Sequence, residues 1–201
     1  MSKVTCGIAM SLDGFVAGPN QSLKNPMGEI PENLLHHWMF DEDDDNKQRA
    51  EMLDYLVDAD AFIMGSNMFM PKDKRDDPDW KGWWGDNPPY HAPVFVLCET
   101  PRESIQMEGG TTFHFVTDGI DAAFKQARGA AREGTIAIAG GANTVNQYLA
   151  AGLIDELWLH IAPVTIGSGA RLFEGVPNLR LEPVETSGTR LATHIRYKVL
   201  K

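Results

Sequence analysis

The stretch TIAIAGGANTVNQYL, residues 135–149, combines a strand, a turn and the start of a helix. The apolar run IAIA predicts a short buried strand. Gly140 and Gly141 follow it and predict a tight turn where no side chain blocks the approach of a ligand to the backbone. A helix then begins, with Asn143 or Thr144 as its predicted N-cap.

A strand, a glycine turn and a helix N-terminus in this order are typical of an anion-binding site. Free backbone amides point outward there, and the helix dipole favours negative charge. The geometry suits a pyrophosphate. The segment differs from the usual dinucleotide fingerprint, because it lacks the third glycine and the acidic residue after a second strand. A glycine turn without a ligand is the alternative interpretation.

The length and charge of the chain narrow the class of protein. The 201 residues predict one domain over residues 1–201, and the net charge of −10 predicts a surface that repels nucleic acid and anionic membranes. No apolar stretch is long enough to span a bilayer, and the N-terminus lacks the regions of a signal peptide. Cys6 and Cys98 are predicted to be buried, reduced thiols, which favours a cytoplasmic location. Spacing of Cys and His predicts no metal site.

Strands and helices alternate along most of the chain. Strands are predicted at residues 4–10, 61–64, 94–97, 112–116 and 156–164, and helices at 46–58, at 120–131 after Asp118 as N-cap, and from Pro31 onward. Residues 191–199 alternate between apolar and polar, which predicts a half-buried antiparallel strand. The pattern therefore predicts an α/β fold with a central mixed, mostly parallel sheet and antiparallel strands at its C-terminal side.

Two further stretches carry candidate site residues. Asp13 precedes Gly14 directly after the first strand, where open α/β sheets bind ligands, although Asp-Gly is also an ordinary turn signal. His36 and His37 are interpreted as surface or rim histidines, since neighbouring helix positions point about 100° apart. The acidic run 41–45 is interpreted as a solvated loop or helix start.

The loop 71–91 is longer than a simple connection between two secondary-structure elements, so we expect it to be functional or locally packed. Its aromatic residues Trp80, Trp83, Trp84 and Tyr90 are suited to covering a flat aromatic ligand. A dimer surface, or packing that fixes the loop, explains them equally well.

Four motifs in order resemble one known family. They are AMSLDGFVAG at 9–18, IMGSNMF at 63–69, AGGA at 139–142, and DEL followed by APV and GSGARLF within 155–173. This pattern resembles the dihydrofolate-reductase-like superfamily, in the branch related to the reductase domain of the riboflavin-biosynthesis deaminase/reductase. The resemblance implies a three-layer sandwich that binds NADPH across the carboxyl edge of its sheet. It also implies hydride transfer to a ring C=N or an imine-like carbon.

The resemblance assigns roles to individual residues. For the cofactor, it implies contacts from Ala9, from Gly65, Ser66, Asn67 and Met68 on the adenosine side, from Leu97, Cys98 and Glu99 at the adenine ribose, and from Gly140, Gly141, Ala142, Asn143 and Thr144 at the pyrophosphate. The candidate acids for substrate protonation are Asp13 and Glu32. The implied substrate contacts are Phe15, Asn33, His37, Trp84 and Thr165.

Three departures from the family pattern bear on specificity. Ser66 stands where the family often has an arginine for the cofactor 2′-phosphate, so NADH is an alternative to NADPH. Asn33 aligns with the carboxylate that binds pterin in dihydrofolate reductases, which argues against dihydrofolate reduction. The loop 76–84 is acidic and aromatic, whereas the comparable loop of the riboflavin enzyme binds a ribose phosphate through basic residues. This difference favours an uncharged flat heterocycle as the substrate.

We therefore expect an NAD(P)H-dependent reductase that acts on a small planar heterocycle, with the riboflavin intermediate 5-amino-6-(5-phosphoribosylamino)uracil as the family's substrate. A dihydrofolate or pterin reductase, a non-catalytic nucleotide-binding member of the fold and a purely structural oligomer are the alternatives. A homodimer is expected, in part from the resemblance and in part from the apolar C-terminal strands. No nucleic-acid or membrane partner is expected.

Overall fold

A computed structural model describes residues 2–40 and 46–201 of the chain. The acidic run 41–45 lies outside the described residues. The strands are β1 (Lys3–Ser11), β2 (Phe15–Ala17), β3 (Ala61–Gly65), β4 (Pro93–Leu97), β5 (Ile105–Gln106), β6 (Thr112–Val116), β7 (Thr135–Gly140), β8 (Glu156–Ala162), β9 (Ala170–Arg171), β10 (Arg180–Gly188) and β11 (Thr193–Leu200). The helices are α1 (His37–Phe40), α2 (Asn46–Val57), α3 (Ser66–Phe69), α4 (Gly119–Ala131) and α5 (Ala142–Ala150), with 3₁₀ turns at Lys72–Lys74 and Glu108–Gly110.

Nine of the strands in the described part of the chain form one sheet, in the order β10-β11-β8-β1-β7-β3-β4-β6-β5. The pairings from β8 across to β6 are parallel. Antiparallel strands complete the two edges, with β5 on one side and β11 and β10 on the other. The short strands β2 and β9 pair separately. This architecture confirms the predicted α/β fold with a mostly parallel sheet and antiparallel C-terminal strands.

Helices cover both faces of the sheet and make three layers. On one face, α4 and α5 contribute Ala127, Val145 and Tyr148 to the largest apolar cluster, which also contains Ile138 of β7. On the other face, α2 packs so closely on β1 that a Cβ atom at Gly7 would lie 2.5 Å from Leu56 Cδ2. Strands covered on both faces are apolar throughout, which explains why β7 and β3 are almost continuous hydrophobic runs.

The prediction that a helix begins at Pro31 is wrong. The chain forms successive turns before α1 begins at His37, and Asn33 has a φ of 56°, which interrupts a helix. The apolar spacing still directs side chains inward, because Leu35 and Trp38 are buried.

Other boundaries also differ from the predictions. The N-cap of α5 is Gly141 rather than Asn143 or Thr144, and Asp118 is at the N-cap of α4 but makes no side-chain capping hydrogen bond. Strand β8 ends at Ala162, two residues early. Cys6 is buried as predicted, but Cys98 is only partly buried because it lies just beyond the end of β4. No helix among residues 2–40 and 46–201 is long and apolar enough to cross a membrane.

Leu157 provides a test of the core. This residue of β8 is fully buried in the largest apolar cluster. Leu157→Ala is therefore expected to lower the free energy of unfolding by about 2–5 kcal/mol, as truncations of buried leucines do. Chemical denaturation monitored by tryptophan fluorescence measures this change. Leu12→Ala is the matched control, because Leu12 is 67% exposed and its truncation is expected to cost less than about 0.5 kcal/mol. Equal losses for the two variants would contradict the packing described.

Candidate active site

A cavity of about 740 Å³ lies at the carboxyl ends of β1, β3, β4 and β7. Its volume is in the range of sites for small molecules and cofactors. The position follows from the topology. The chain leaves β3 towards β4 and leaves the adjacent β7 towards β8, which lies in the opposite direction. Such a switch point opens a crevice outside the carboxyl ends of the two strands.

The floor of the cavity consists of small residues. Thr5 pairs with Ala137 in the last register pair between β1 and β7, whereas β1 stays paired with β8 as far as Ser11. The two strands therefore separate towards their carboxyl ends. Gly7, Ala9, Ala137 and Ala139 all line the cavity. Because these positions follow each other at steps of two along their strands, they lie on one face of the sheet.

Two aromatic walls rise on either side of this floor. Trp38, Tyr55 and His160 line the first wall, with the Trp38 and His160 rings stacked at a centroid distance of 4.3 Å. Trp84 and Tyr90 line the second wall, with centroids 5.2 Å apart. A slot with a flat floor and aromatic walls fits planar rings.

The glycine turn lies at the open side of the slot, before the N-terminus of α5. Gly141 is the N-cap, so no side chain there occupies the amides of the first helical turn. A Cβ atom at Gly141 would meet nothing within 4 Å, whereas one at Gly65 would lie 2.5 Å from Thr144 Oγ1. Gly65 thus lets β3 approach α5, and Gly141 leaves open space over the amides. A pyrophosphate fits this cradle of amides and helix dipole.

The described lining carries very little charge. Among the described residues that line the cavity, Glu99 is the one that is charged at neutral pH, if the histidines are counted as neutral. Three basic side chains in the segments that follow β3 and β4 are paired with other groups of the protein. Arg102 donates to the carbonyls of Pro78 and Trp80, Lys74 pairs with Asp77 at 2.9 Å, and Arg75 donates to Asn67 Oδ1 at 2.7 Å.

The part of the slot that Trp38 and His160 line is its closed end, because both side chains are buried. His160 is a neutral histidine there. Its Nδ1 lies 2.8 Å from Nδ1 of His194, and Trp38 covers its ring. Burial, together with the neighbouring His194 and His36, lowers the pKa of His160 to about 3. The closed end is therefore an uncharged environment at neutral pH.

Asp13 lies in the turn after β1 but does not line the cavity. Its carboxylate accepts hydrogen bonds from the Ser11 hydroxyl at 2.5 Å and from the Gly167 amide at 2.8 Å. These hydrogen bonds, that from Ser11 first, hold the pKa of Asp13 below its ordinary value. In this position Asp13 joins the turn after β1 to the loop after β8. Its catalytic role stays a prediction.

The structure brings together all of the residues predicted to bind the cofactor. The cavity is lined by Ala9, Gly65, Ser66, Asn67, Met68, Leu97, Cys98, Glu99, Gly140, Gly141, Ala142, Asn143 and Thr144. Of the predicted substrate contacts, Trp84 lines it as well. Phe15 is buried outside the cavity lining, with the guanidinium of Arg171 over its ring. The other predicted site residues are exposed and do not line the cavity; they are Glu32, Asn33, His37 and Thr165. Their assignment to the site stays a prediction.

Sequence reasoning missed the first wall and, apart from Ala9, the floor. The floor has a sequence signal, since small residues recur at every second position in CGIAM and TIAIAG. His160 also has one, as a polar residue inside an apolar strand. His36, interpreted as a surface or rim histidine, lines the cavity and is partly buried. In the loop 71–91, Trp83 and Trp84 line the cavity, whereas Trp80 fixes the loop through its Nε1 hydrogen bond to the Phe69 carbonyl.

Comparisons with known proteins agree with this geometry. A family model described as the RibD C-terminal domain matches residues 2–193. The chain is 27% identical to the uncharacterized protein YwjB of Bacillus subtilis over 197 residues, which cover 96% of both chains. A putative riboflavin biosynthesis protein from Shewanella sp. PV-4 has a TM-score of 0.67 and 22% identity, with 99% of both chains covered. The riboflavin biosynthesis reductase Rib7 of Saccharomyces cerevisiae has a TM-score of 0.55 and 16% identity, with 100% of this chain and 89% of that one covered.

The lowered pKa of His160 predicts a pH dependence of stability. Below about pH 6.5, the unfolded chain binds a proton at this histidine that the folded protein does not bind until about pH 3. Stability due to neutral His160 is therefore full above pH 6.5 and declines as the pH falls. We expect the stability gap between the wild type and His160→Asn to narrow from pH 7 to pH 4, measured by urea denaturation.

His37→Asn is the control for this experiment, because it removes an exposed histidine. It is expected to keep the wild-type pH dependence. Parallel stability curves for the wild type and His160→Asn would contradict the buried neutral state of His160.

Proposed function

As the chain belongs to the RibD C-terminal domain family, we propose that it is an NAD(P)H-dependent oxidoreductase that transfers a hydride to a planar heterocycle or an imine-type carbon. The observation that carries the proposal is the continuity of two subsites in one cavity. An amide cradle at Gly141 and a flat slot over Ala9 and Ala139 share the same volume. A dinucleotide with one flat reactive ring needs both subsites side by side.

The chain's own residues position the reactants. The first-turn amides of α5, at Ala142, Asn143 and Thr144, bind the pyrophosphate with the help of the helix dipole. The residues after β3 and β4 surround the adenosine. The bound nicotinamide supplies the hydride, while the protein orients the rings and excludes water. The floor lets two flat rings approach closely, because its side chains are no larger than a methyl group.

Protonation of the reduced substrate needs an acid or an ordered water within hydrogen-bond reach. Asp13 and Glu32 remain the proposed acids. Neither lines the cavity, so we propose that a proton from either one reaches the substrate through water.

Charge supports an uncharged substrate over a phosphorylated one. Glu99 is the charged group of the described lining, and a phosphate in the slot would lose hydration without gaining a cation. We therefore place an uncharged heterocycle before the family's phosphoribosyl substrate. A pterin substrate is less favoured, because Asn33 is exposed and away from the cavity.

A second function is a nucleotide-binding protein without catalysis. It is favoured by one observation, the position of Asp13 and Glu32 outside the cavity lining. Cofactor binding without any oxidation of NADPH or NADH, across a panel of pterins, pyrimidines and quinones, would support this second function. The expected homodimer also stays a proposal, and the net charge of −10 argues against nucleic-acid and anionic membrane partners.

Gly141→Asp tests the cofactor site with two opposed readouts. An N-cap aspartate hydrogen-bonds the first-turn amides, so it is expected to maintain or raise the melting temperature. The same carboxylate occupies the cradle and repels phosphate, so NADPH and NADH are expected to bind at least about tenfold more weakly, or ~1.4 kcal/mol. Quenching of tryptophan fluorescence measures this binding.

Gly141→Ala is the control, since it adds a methyl group without charge in space that the fold leaves open. It is expected to bind both cofactors better than Gly141→Asp does. Wild-type affinity in Gly141→Asp would remove the cradle from the proposal. An absence of cofactor binding by the wild type would overturn the reductase proposal itself.

Glu99→Gln tests which cofactor the site prefers. A carboxylate beside the adenosine accepts hydrogen bonds from ribose hydroxyls and repels a 2′-phosphate. The substitution is expected to raise the affinity for NADPH relative to NADH by at least about threefold, an energy on the scale of one exposed charge interaction. Glu103→Gln removes the same charge outside the cavity lining and is expected to leave the ratio unchanged. A ratio that stays constant in Glu99→Gln would show that Glu99 does not face the ribose.

A further inference from the structure

Two buried ring nitrogens at the closed end of the slot have no hydrogen-bond partner in the described part of the chain. They are Nε1 of Trp38 and Nε2 of His160. Both side chains line the cavity, and they are 3% and 0% exposed. A buried polar atom without a partner costs free energy, so most such atoms in native proteins are paired with protein, water or a ligand.

The sheet register fixes the orientation of His160. Ala9 of β1, His160 of β8 and His194 of β11 are direct neighbours across three strands. His160 uses its Nδ1 for the 2.8 Å contact with Nδ1 of His194, which leaves its Nε2 for another partner. On the other side of His160, the methyl group of Ala9 leaves the space of the cavity beside the ring.

Trp38 is held by ring contacts from two histidines. Its ring stacks on His160 with an interplanar angle of 27° and meets His194 edge-on at a centroid distance of 5.0 Å. Two aromatic contacts and deep burial leave the indole little freedom. The two unpartnered nitrogens therefore lie on neighbouring, fixed rings of one wall.

The chemistry of the two nitrogens defines what they bind. The indole Nε1–H of Trp38 only donates, so it requires an acceptor. Nε2 of a neutral His160 accepts or donates, according to which of the two histidines carries the proton of their shared hydrogen bond. A ring carbonyl next to a ring nitrogen offers a matching pair of groups.

We propose that Trp38 Nε1 and His160 Nε2 anchor the substrate, and that the substrate is an uncharged planar ring with a carbonyl group beside a ring nitrogen. The carbonyl oxygen accepts from Trp38, and the ring nitrogen pairs with His160. This inference rests on the proposed reductase function, for which it supplies the substrate class and two binding residues that the family motifs do not mark.

The surroundings of the pair favour an uncharged ring. Tyr55 and Met39 line the same part of the cavity, and His36 nearby is kept neutral by burial, which lowers its pKa. None of these groups compensates a charge. A phosphorylated or carboxylated ring would therefore lose its hydration here without an ionic partner.

Calorimetric titration of the full chain with quinazolin-4-one tests the proposal, since this uncharged bicyclic ring carries a carbonyl next to a ring N–H. Trp38→Phe removes Nε1 and keeps an aromatic ring. We expect it to weaken binding by about tenfold, the loss of one buried hydrogen bond. His160→Asn retains a polar group near the Nδ1 position for His194 but removes Nε2, and a similar loss is expected.

His114→Asn is the control, because it removes a partly buried histidine that lies outside the cavity lining. It is expected to bind quinazolin-4-one like the wild type. Quinazoline, which lacks the carbonyl group, is expected to bind the wild type about tenfold more weakly than quinazolin-4-one and to be insensitive to Trp38→Phe.

NADH titrations of the same preparations separate this inference from the proposed function. Wild-type NADH affinity in Trp38→Phe, together with weakened binding of the ring, supports the inference and shows that the variant is folded. Unchanged ring binding in Trp38→Phe, or no ring binding by the wild type, overturns the inference while NADH binding still supports the reductase. An absence of NADH binding by the wild type would instead count against the proposed function.

Discussion

The separation of β1 from β7 above a floor of small residues is the constraint on which the site depends. Pairing between these strands ends at Thr5 and Ala137, so the sheet opens at its carboxyl edge. Ala9 and Ala139 then leave the face uncovered where larger side chains would close it, whereas Gly7 lies under Leu56 of α2. The opening contrasts with the rest of the core, because protein interiors are closely packed and contain few voids larger than a water molecule.

The two apolar clusters on this face provide the walls of the slot. Trp38 and Trp158 belong to one cluster, and Tyr90 belongs to the other, with Trp84 packed against it. Their rings shield the floor from water, which strengthens each polar interaction made inside. The same shielding explains why His160 is neutral. The open side behaves differently, since backbone amides rather than cationic side chains provide its positive potential.

Local patterns were sufficient for most strands and for the glycine turn, because an apolar run such as IAIA and a glycine pair such as Gly140-Gly141 are local signals. The family resemblance, rather than a local pattern, supplied the residues expected at a cofactor, and these residues line the cavity. Contacts across the sheet were not predictable in this way. The pairing of His160 with His194 joins residues 34 positions apart, and no local period indicates it. The segment after Pro31 shows that a local pattern also has limits. Its apolar spacing correctly predicted which side chains are buried, but the backbone at Asn33 forms a turn instead of the expected helix.

A crystal structure of the protein with bound NADP⁺ or NAD⁺ tests the central claim most directly. The account predicts pyrophosphate oxygens within hydrogen-bond distance of the first-turn amides of α5, and the nicotinamide ring flat over Ala9 and Ala139 between the aromatic walls. The adenosine is predicted beside Glu99. A cofactor bound away from the Gly140-Gly141 turn, or a slot that stays closed to the nicotinamide, would contradict the claim that the small-residue floor forms the reaction site.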